Sequence, residues 1–152
     1  MQKKGNGSVK RWIALLLAIL LFLPSAGISV ANAAETRASF YLDDYSAYVH
    51  FTEDGVIQVW FDVMGTHYLD DIGALKIELY ESTDNENWTW VKTYTNRDHP
   101  NILGHNAIIY CSHVDYTQGI SGRYYRGYIT VWGGRNGGGD TRYFYTSSKL
   151  AP

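Results

Sequence analysis

Hydrophobic and polar residues alternate along most of the chain after residue 34, which is the pattern of half-buried β-strands. The pattern is clearest over residues 56–63, where Ile57, Val59, Phe61 and Val63 share one face and the other face is wetter. Beyond residue 34, no long stretch repeats hydrophobic residues with the period of a helix. We therefore predict an all-β fold.

Turn-forming residues divide this pattern into short strands. The turns and loops are predicted at 43–44, 53–55, 64–73, 82–87, 96–105, 118–122 and 133–140. The strands are predicted at 38–42, 45–51, 56–63, 74–81, 88–95, 107–115, 123–132 and 141–149. Because no helix is available to cross between parallel strands, the pairing is predicted to be antiparallel. Seven or eight strands, with a turn about every ten residues, are typical of an immunoglobulin- or fibronectin III-like antiparallel β-sandwich.

The N-terminal segment has the organisation of a secretory signal peptide. A positively charged start precedes the uninterrupted apolar run of residues 12–23, and Ala31 and Ala33 are small residues at the positions that a signal peptidase reads. We predict a signal peptide over residues 1–33, cleavage after Ala33, and a single β-sandwich domain at residues 34–152. The alternative is a membrane anchor, but the apolar run is shorter than the roughly 20 residues that a spanning helix needs.

Charge and composition exclude several classes of protein. Without residues 1–33 the chain has 9 basic and 15 acidic residues, a net charge of −6, which excludes a basic nucleic-acid binder. Its aromatic and β-branched content excludes a disordered chain. The one cysteine, Cys111, cannot form an internal disulfide framework, and we predict that it is buried as a small apolar residue. We expect a monomer that contacts a membrane only through the signal segment before cleavage.

Two resemblances add to this interpretation. Residues 122–150 resemble the last two strands of a fibronectin III-like domain, with Tyr125 as the inward tyrosine that begins the penultimate strand. Residues 38–150 are similar to a family of small secreted bacterial proteins classified as domain of unknown function 6147. The motifs that carry the second similarity are residues 61–66, 72–74, 77–81, 88–94 and 137–142. It implies secretion and this fold, and it carries over no catalytic residue.

Potential metal ligands and catalytic groups lack a defining spacing. His99 and His105 share one predicted loop, where zinc or copper is an alternative, and Asp70-Asp71 is an acidic turn, where calcium is an alternative. Cys111 and His113 lie on the same side of a strand but about 6.5–7 Å apart along the backbone, which is long for a nucleophile and its base. We predict no catalytic residue, no metal and no cofactor.

Aromatic residues are the most suggestive feature. The chain beyond residue 33 contains 13 Tyr, 4 Trp and 4 Phe. Trp88, Trp90 and Tyr94 are predicted to lie on one face of a single strand, where an exposed row would stack on sugar rings or bind an apolar partner. The alternative is that these rings fill the core, because sheets favour aromatic residues for packing alone.

Together these features predict a bacterial protein that is secreted and acts outside the cell as a non-catalytic binding module. Its ligand would be a glycan, a cell-wall component or another protein, bound through Trp88, Trp90 and Tyr94. The alternatives are a small secreted hydrolase and a secreted effector or antimicrobial polypeptide.

Overall fold

The computed structural model describes residues 39–152, and these residues form an all-β fold, as predicted. The seven strands are β1 Leu42–Phe51, β2 Ile57–Ser82, β3 Thr89–Thr95, β4 Leu103–Tyr116, β5 Tyr124–Arg135, β6 Gly138–Tyr145 and β7 Lys149–Leu150. A short 3-10 turn, Pro100–Ile102, precedes β4. Every strand pair is antiparallel, which confirms the predicted pairing.

The predicted signal peptide and its cleavage site lie outside the described residues. Within residues 39–152, no helix has the length and apolar character needed to cross a membrane.

Strand β2 organises the whole sheet. Its first part, residues 57–73, pairs with β4 along one edge and, over residues 57–65, with β1 along the other. Its second part, residues 74–82, lies between β3 and β5. Residues 71–73 pair with β4 and β5 at once, so the two parts belong to one strand. Since β6 and β7 both pair with β5, all seven strands form one continuous sheet.

The predicted loop at residues 64–73 is wrong, because these residues continue β2. The pairing with β4 shifts between Met64 and Leu69, where β2 has more residues than its partner and therefore bulges. Gly73 has a φ of +143°, and a Cβ atom there would lie 2.5 Å from the carbonyl oxygen of Ile102. The glycines that indicated a loop thus belong to a bulge and a bend within a strand.

Two smaller predictions of turns are also wrong. Asp43-Asp44 lies inside β1, where the register shifts between Leu42 and Asp44. The glycine-rich segment 133–140 is mostly strand, because β5 and β6 extend into it from both sides. Only Asn136 and Gly137 turn, with φ angles of +53° and +80°, as in the tight hairpins that favour Asn-Gly.

The buried apolar cluster draws side chains from both parts of β2 and from the strands that pair with it. The apolar face predicted for residues 56–63 is buried, and its members are at most 1% exposed: Ile57, Val59, Phe61 and Val63. A Cβ atom on Gly127 of β5 would lie 2.8 Å from the side chain of Val59, so the inner faces of β5 and β2 meet directly. The rings of Tyr45 in β1 and Phe144 in β6 also pack together, with centroids 5.1 Å apart.

Candidate functional site

Aromatic side chains cover the outer surface of the sheet formed by β3, the second part of β2, β5 and β6. The register places Tyr80 opposite both Trp90 and Arg126, and places Tyr128 opposite Tyr145. These side chains therefore form one surface across four strands, which we call the aromatic face. Its members are Tyr80, Trp88, Trp90, Arg126, Tyr128, Tyr143 and Tyr145.

Arg126 holds the centre of the aromatic face in place. Its guanidinium carbon lies 4.1 Å from the centroid of the Trp88 ring and 4.3 Å from that of Tyr145. Tyr128 packs against Tyr145 with ring centroids 4.5 Å apart. Cation–π contacts of this kind stabilise the partners by about 0.5–2 kcal/mol. The face is thus ordered by its own contacts before any ligand is present.

The three residues predicted to share one exposed row do not do so. Tyr80 is opposite Trp90 and Leu79 is opposite Lys92, which leaves Val91 unpaired as a β-bulge. The extra residue changes the side to which the following side chains point. Trp90 therefore faces outward, whereas Tyr94 points into the core.

Tyr94 is a core residue, only 1% exposed. Its hydroxyl donates a hydrogen bond of 2.8 Å to the backbone carbonyl of Asp115, and burial raises the pKa of Tyr94 to about 12. Trp90, in contrast, is 56% exposed, and its Nε1 donates to Oγ1 of Thr93 at 3.0 Å. Trp88 is half-buried beneath Arg126. Of the three, Trp90 alone offers a largely open ring.

A second row of rings lies on the outer surface of β1, the first part of β2, and β4. Tyr48 and Trp60 are nearly parallel, with centroids 6.5 Å apart and an interplanar angle of 5°. Trp60 also stacks on His113, with centroids 4.1 Å apart. Trp60 Nε1 donates to Gln58 Oε1, and Gln58 Nε2 donates to Asp115 Oδ1, each at 2.9 Å. Polar groups thus border the row directly.

Sequence reasoning missed this row because its three members belong to three different strands. Tyr48, Trp60 and His113 become neighbours only through the registers of β1 and β4 on β2. One signal was present, since Trp60 lies on the wetter face of residues 56–63. The outward position of Trp60 was therefore visible, but its stacking partners were not.

Cys111 lies on this same surface, and the prediction that it is buried is wrong. Its thiol is free and exposed. The register places Cys111 opposite Asp62, whose carboxylate accepts a hydrogen bond of 2.6 Å from the hydroxyl of Ser46. The polar neighbours show that the β4 residues on this side face solvent.

The candidate histidines form two separate pairs with carboxylates. His105 Nδ1 lies 2.6 Å from Asp71 Oδ1, and His113 Nε2 lies 3.5 Å from Asp115 Oδ1. The two histidines are separated by roughly 25 Å along β4, given the rise per residue of a strand. The hydrolase alternative needs such groups in one pocket, and these two pairs occupy different positions.

The loop residues considered as metal ligands are used for other contacts. Asp70 accepts a hydrogen bond of 2.7 Å from the backbone N–H of Asn136, and His99 packs edge-on against Tyr94. In the part of the chain that the structure describes, no three His, Cys, Asp or Glu side chains come together as a metal-binding group.

No family model, no curated protein and no solved structure matches this chain. The similarity to domain of unknown function 6147 therefore stays a prediction. No residue role is carried over from a relative, so the roles below rest on the geometry alone.

Proposed function

We propose that this protein is a non-catalytic extracellular binding module and that its aromatic face binds a glycan. The observation that carries the proposal is the exposure of Trp90, Tyr143 and Tyr145, which are 56%, 62% and 50% exposed on one face of the sheet. Large exposed aromatic surfaces on soluble proteins mark binding sites. Rings of this kind stack on the apolar faces of sugars, and tyrosine hydroxyls bond to sugar hydroxyls.

The polar groups on the aromatic face favour a glycan over a protein ligand. Lys76 and Glu78 lie on the outer side of β2, with Glu78 opposite Tyr128, and their charged atoms are 2.9 Å apart. The cores of protein–protein interfaces are depleted in Lys and Glu, whereas a ligand rich in hydroxyl groups needs donors and acceptors beside the rings. A surface that combines aromatic rings with charged donors and acceptors therefore suits a sugar polymer.

We also propose that the curved sheet has the two-layer topology of a fibronectin III-like sandwich. Strands β1 and β4 with the first part of β2 would form one layer, and β3, β5 and β6 with the second part of β2 the other. Tyr125, at the start of β5, supports this assignment. It is fully buried, and its hydroxyl accepts a hydrogen bond of 2.9 Å from the backbone N–H of Ile120, five residues upstream. A tyrosine so placed marks the corner of immunoglobulin-like domains.

The last part of the proposal is that the protein is exported from the cell. The basic start, the apolar run and the small residues up to Ala33 support cleavage of a bacterial signal peptide and release of residues 34–152. A ligand outside the cell, such as a cell-wall or environmental polysaccharide, is then the relevant class.

The test uses the full chain produced in a bacterial host. We expect the product in the medium to have an intact mass that begins at residue 34. Titration with soluble β-glucans, chitin oligomers and peptidoglycan fragments should change the tryptophan fluorescence for at least one of them. Trp90→Ala should weaken that binding at least tenfold, which corresponds to about 1.4 kcal/mol.

The matched control is Tyr68→Ala, which removes an aromatic ring that is 65% exposed and belongs neither to the aromatic face nor to the row of Tyr48, Trp60 and His113. This variant should bind as the wild type does. Absence of binding across the whole panel, or equal loss in both variants, would contradict a glycan site on the aromatic face.

A further inference from the structure

Basic residues are confined to one part of the described chain. None of the Lys and Arg residues in the range 39–152 lies in β1, in residues 57–73 of β2, or in β4. They lie in the second part of β2, in β3, in β5 to β7 and in the adjoining loops: Lys76, Lys92, Arg97, Arg123, Arg126, Arg135, Arg142 and Lys149.

The strands without basic residues carry a concentration of carboxylates. Strands β1 and β4 and residues 57–73 contain six aspartates and no glutamate. These are Asp43, Asp44, Asp62, Asp70, Asp71 and Asp115. The other residues in these strands that can carry a positive charge are histidines. A surface with one sign of charge attracts ligands of the opposite sign.

Two of these aspartates border the row of rings on the outer surface of these strands. Asp62 follows Trp60 by two residues on the same side of β2, and Asp115 is opposite Gln58, two residues before Trp60. Trp60 therefore has an aspartate on either side along the strand direction, Asp62 about 6.5–7 Å away on the same strand and Asp115 about 7–8 Å away on the diagonal of the neighbouring strand. We call this surface the acidic face, defined by Tyr48, Gln58, Trp60, Asp62, His113 and Asp115.

Rings beside carboxylates suit a guanidinium group. Its flat surface stacks on aromatic rings, and its forked N–H groups bond to both oxygens of a carboxylate. Tyr48 is 52% exposed, and β1 pairs only with β2 within the described sheet. The side of the Tyr48 ring that points away from Trp60 therefore lies at a free strand edge.

The geometry favours a polypeptide over a small cation. The rings form a row on an open sheet surface, whereas small ligands are bound in clefts that enclose most of their area. The edge of β4 beside the acidic face is already occupied, because the backbone carbonyls of His113 and Asp115 accept hydrogen bonds from the side chains of Asn101 and Tyr94. An extended peptide would therefore lie across the open face and would not add to this edge as a further strand. Its alternate side chains would lie against the face.

We propose that the acidic face binds an extended, arginine-bearing segment of a partner polypeptide. Guanidinium groups four residues apart in an extended segment, as in alternating Arg and Thr, match the separation of the carboxylates on either side of Trp60. This site is separate from the aromatic face and does not depend on the proposed glycan binding.

The experiment measures binding of a fluorescently labelled peptide of alternating Arg and Thr to the exported protein. The double variant Asp62→Asn/Asp115→Asn removes two charges and keeps the side-chain shape. It should weaken binding at least tenfold. The matched control, Glu53→Gln/Glu86→Gln, removes two charges from exposed turn residues outside the face and should weaken binding less than twofold.

Three further ligands are compared with the Arg–Thr peptide: a Lys–Thr peptide, a Glu–Thr peptide and choline. We expect the Lys–Thr peptide to bind more weakly than the Arg–Thr peptide, and the other two ligands not to bind. Trp90→Ala should leave peptide binding unchanged, so failure of one site is distinguishable from failure of the other. No binding of the Arg–Thr peptide, equal loss in the two double variants, or equal binding of choline would overturn the proposal.

Discussion

At the scale of single residues, the immediate contacts of an aromatic side chain decide its role. Trp90 and Tyr94 lie in the same short strand, yet Trp90 faces solvent and Tyr94 is among the most buried side chains. Val91, the unpaired residue between them, causes the difference. Tyr94 then joins β3 to β4, because its hydroxyl donates to the carbonyl of Asp115.

We expect Tyr94→Phe to lower the free energy of unfolding by about 1–2 kcal/mol, because the carbonyl of Asp115 loses a buried donor. Urea unfolding measures the loss. Tyr143→Phe is the matched control, since that side chain is 62% exposed and its hydroxyl has access to water. A loss of equal size in both variants would contradict the assigned role of the Tyr94 hydroxyl.

The same variant has a pH dependence of definite sign. Burial raises the pKa of Tyr94 to about 12 in the folded protein, above about 10 for an exposed tyrosine. The folded state therefore holds this proton more tightly, and the resulting stabilisation is complete below pH 10 and is lost as the pH rises toward 12. Between these values, wild-type stability should fall more steeply than that of Tyr94→Phe.

At the scale of elements, the length of β2 determines the shape of the sheet. Its 26 residues pair with β1 and β4 first and with β3 and β5 later. A straight strand of this length could not line both sides of one core. The bulge after Met64 and the positive φ of Gly73 lie where its partners change, so these local features permit the curvature.

Gly73→Ala should therefore be much more damaging than Gly122→Ala. Both glycines have positive φ, which costs an alanine about 1–2 kcal/mol. At Gly73 the new Cβ would also lie 2.5 Å from the carbonyl oxygen of Ile102, whereas at Gly122 nothing lies within 4 Å. We expect losses of about 3 kcal/mol or more and about 1 kcal/mol, respectively, in chemical unfolding. Similar losses would show that Gly73 is not closely packed.

At the scale of the whole molecule, one carboxylate joins the start of the described chain to its last hairpin. Asp140 Oδ2 accepts hydrogen bonds from Ser39 Oγ at 2.6 Å and from the backbone N–H groups of Phe40 and Tyr41 at 2.9 and 3.2 Å. These bonds, with that of Ser39 the largest cause, lower the pKa of Asp140. The ionised carboxylate thus holds residues 39–41 against β6.

Asp140→Asn should release this connection without unfolding the protein. We expect the amides of Phe40 and Tyr41 to exchange with solvent deuterium at least tenfold faster, as measured by NMR. Because the pKa is lowered, the stabilisation is present above about pH 4, the ordinary range of the carboxyl, and is lost at lower pH. Acidification should therefore speed exchange in the wild type but not in the variant. Unchanged exchange in Asp140→Asn would contradict this role.

The sequence predicts the features of the fold that depend on neighbouring residues, and it misses those that depend on contacts between distant segments. Alternation with a period of two depends on nearest neighbours, so it correctly identified the all-β class and the buried face of Ile57, Val59, Phe61 and Val63. It failed at residues 64–73, because glycine has the same local signal in a loop and in a bend of a strand.

The candidate sites show the same difference between what the sequence predicts and what only the tertiary structure decides. The sequence by itself determined that the chain is rich in aromatic residues and where its basic residues lie along the chain. Only the tertiary structure decided which of them meet. Tyr48, Trp60 and His113 form a row through two strand registers, and the Val91 bulge separates Trp90 from Tyr94. Pairing between strands depends on backbone hydrogen bonds and core packing summed over distant segments, and no local pattern of residues contains that sum.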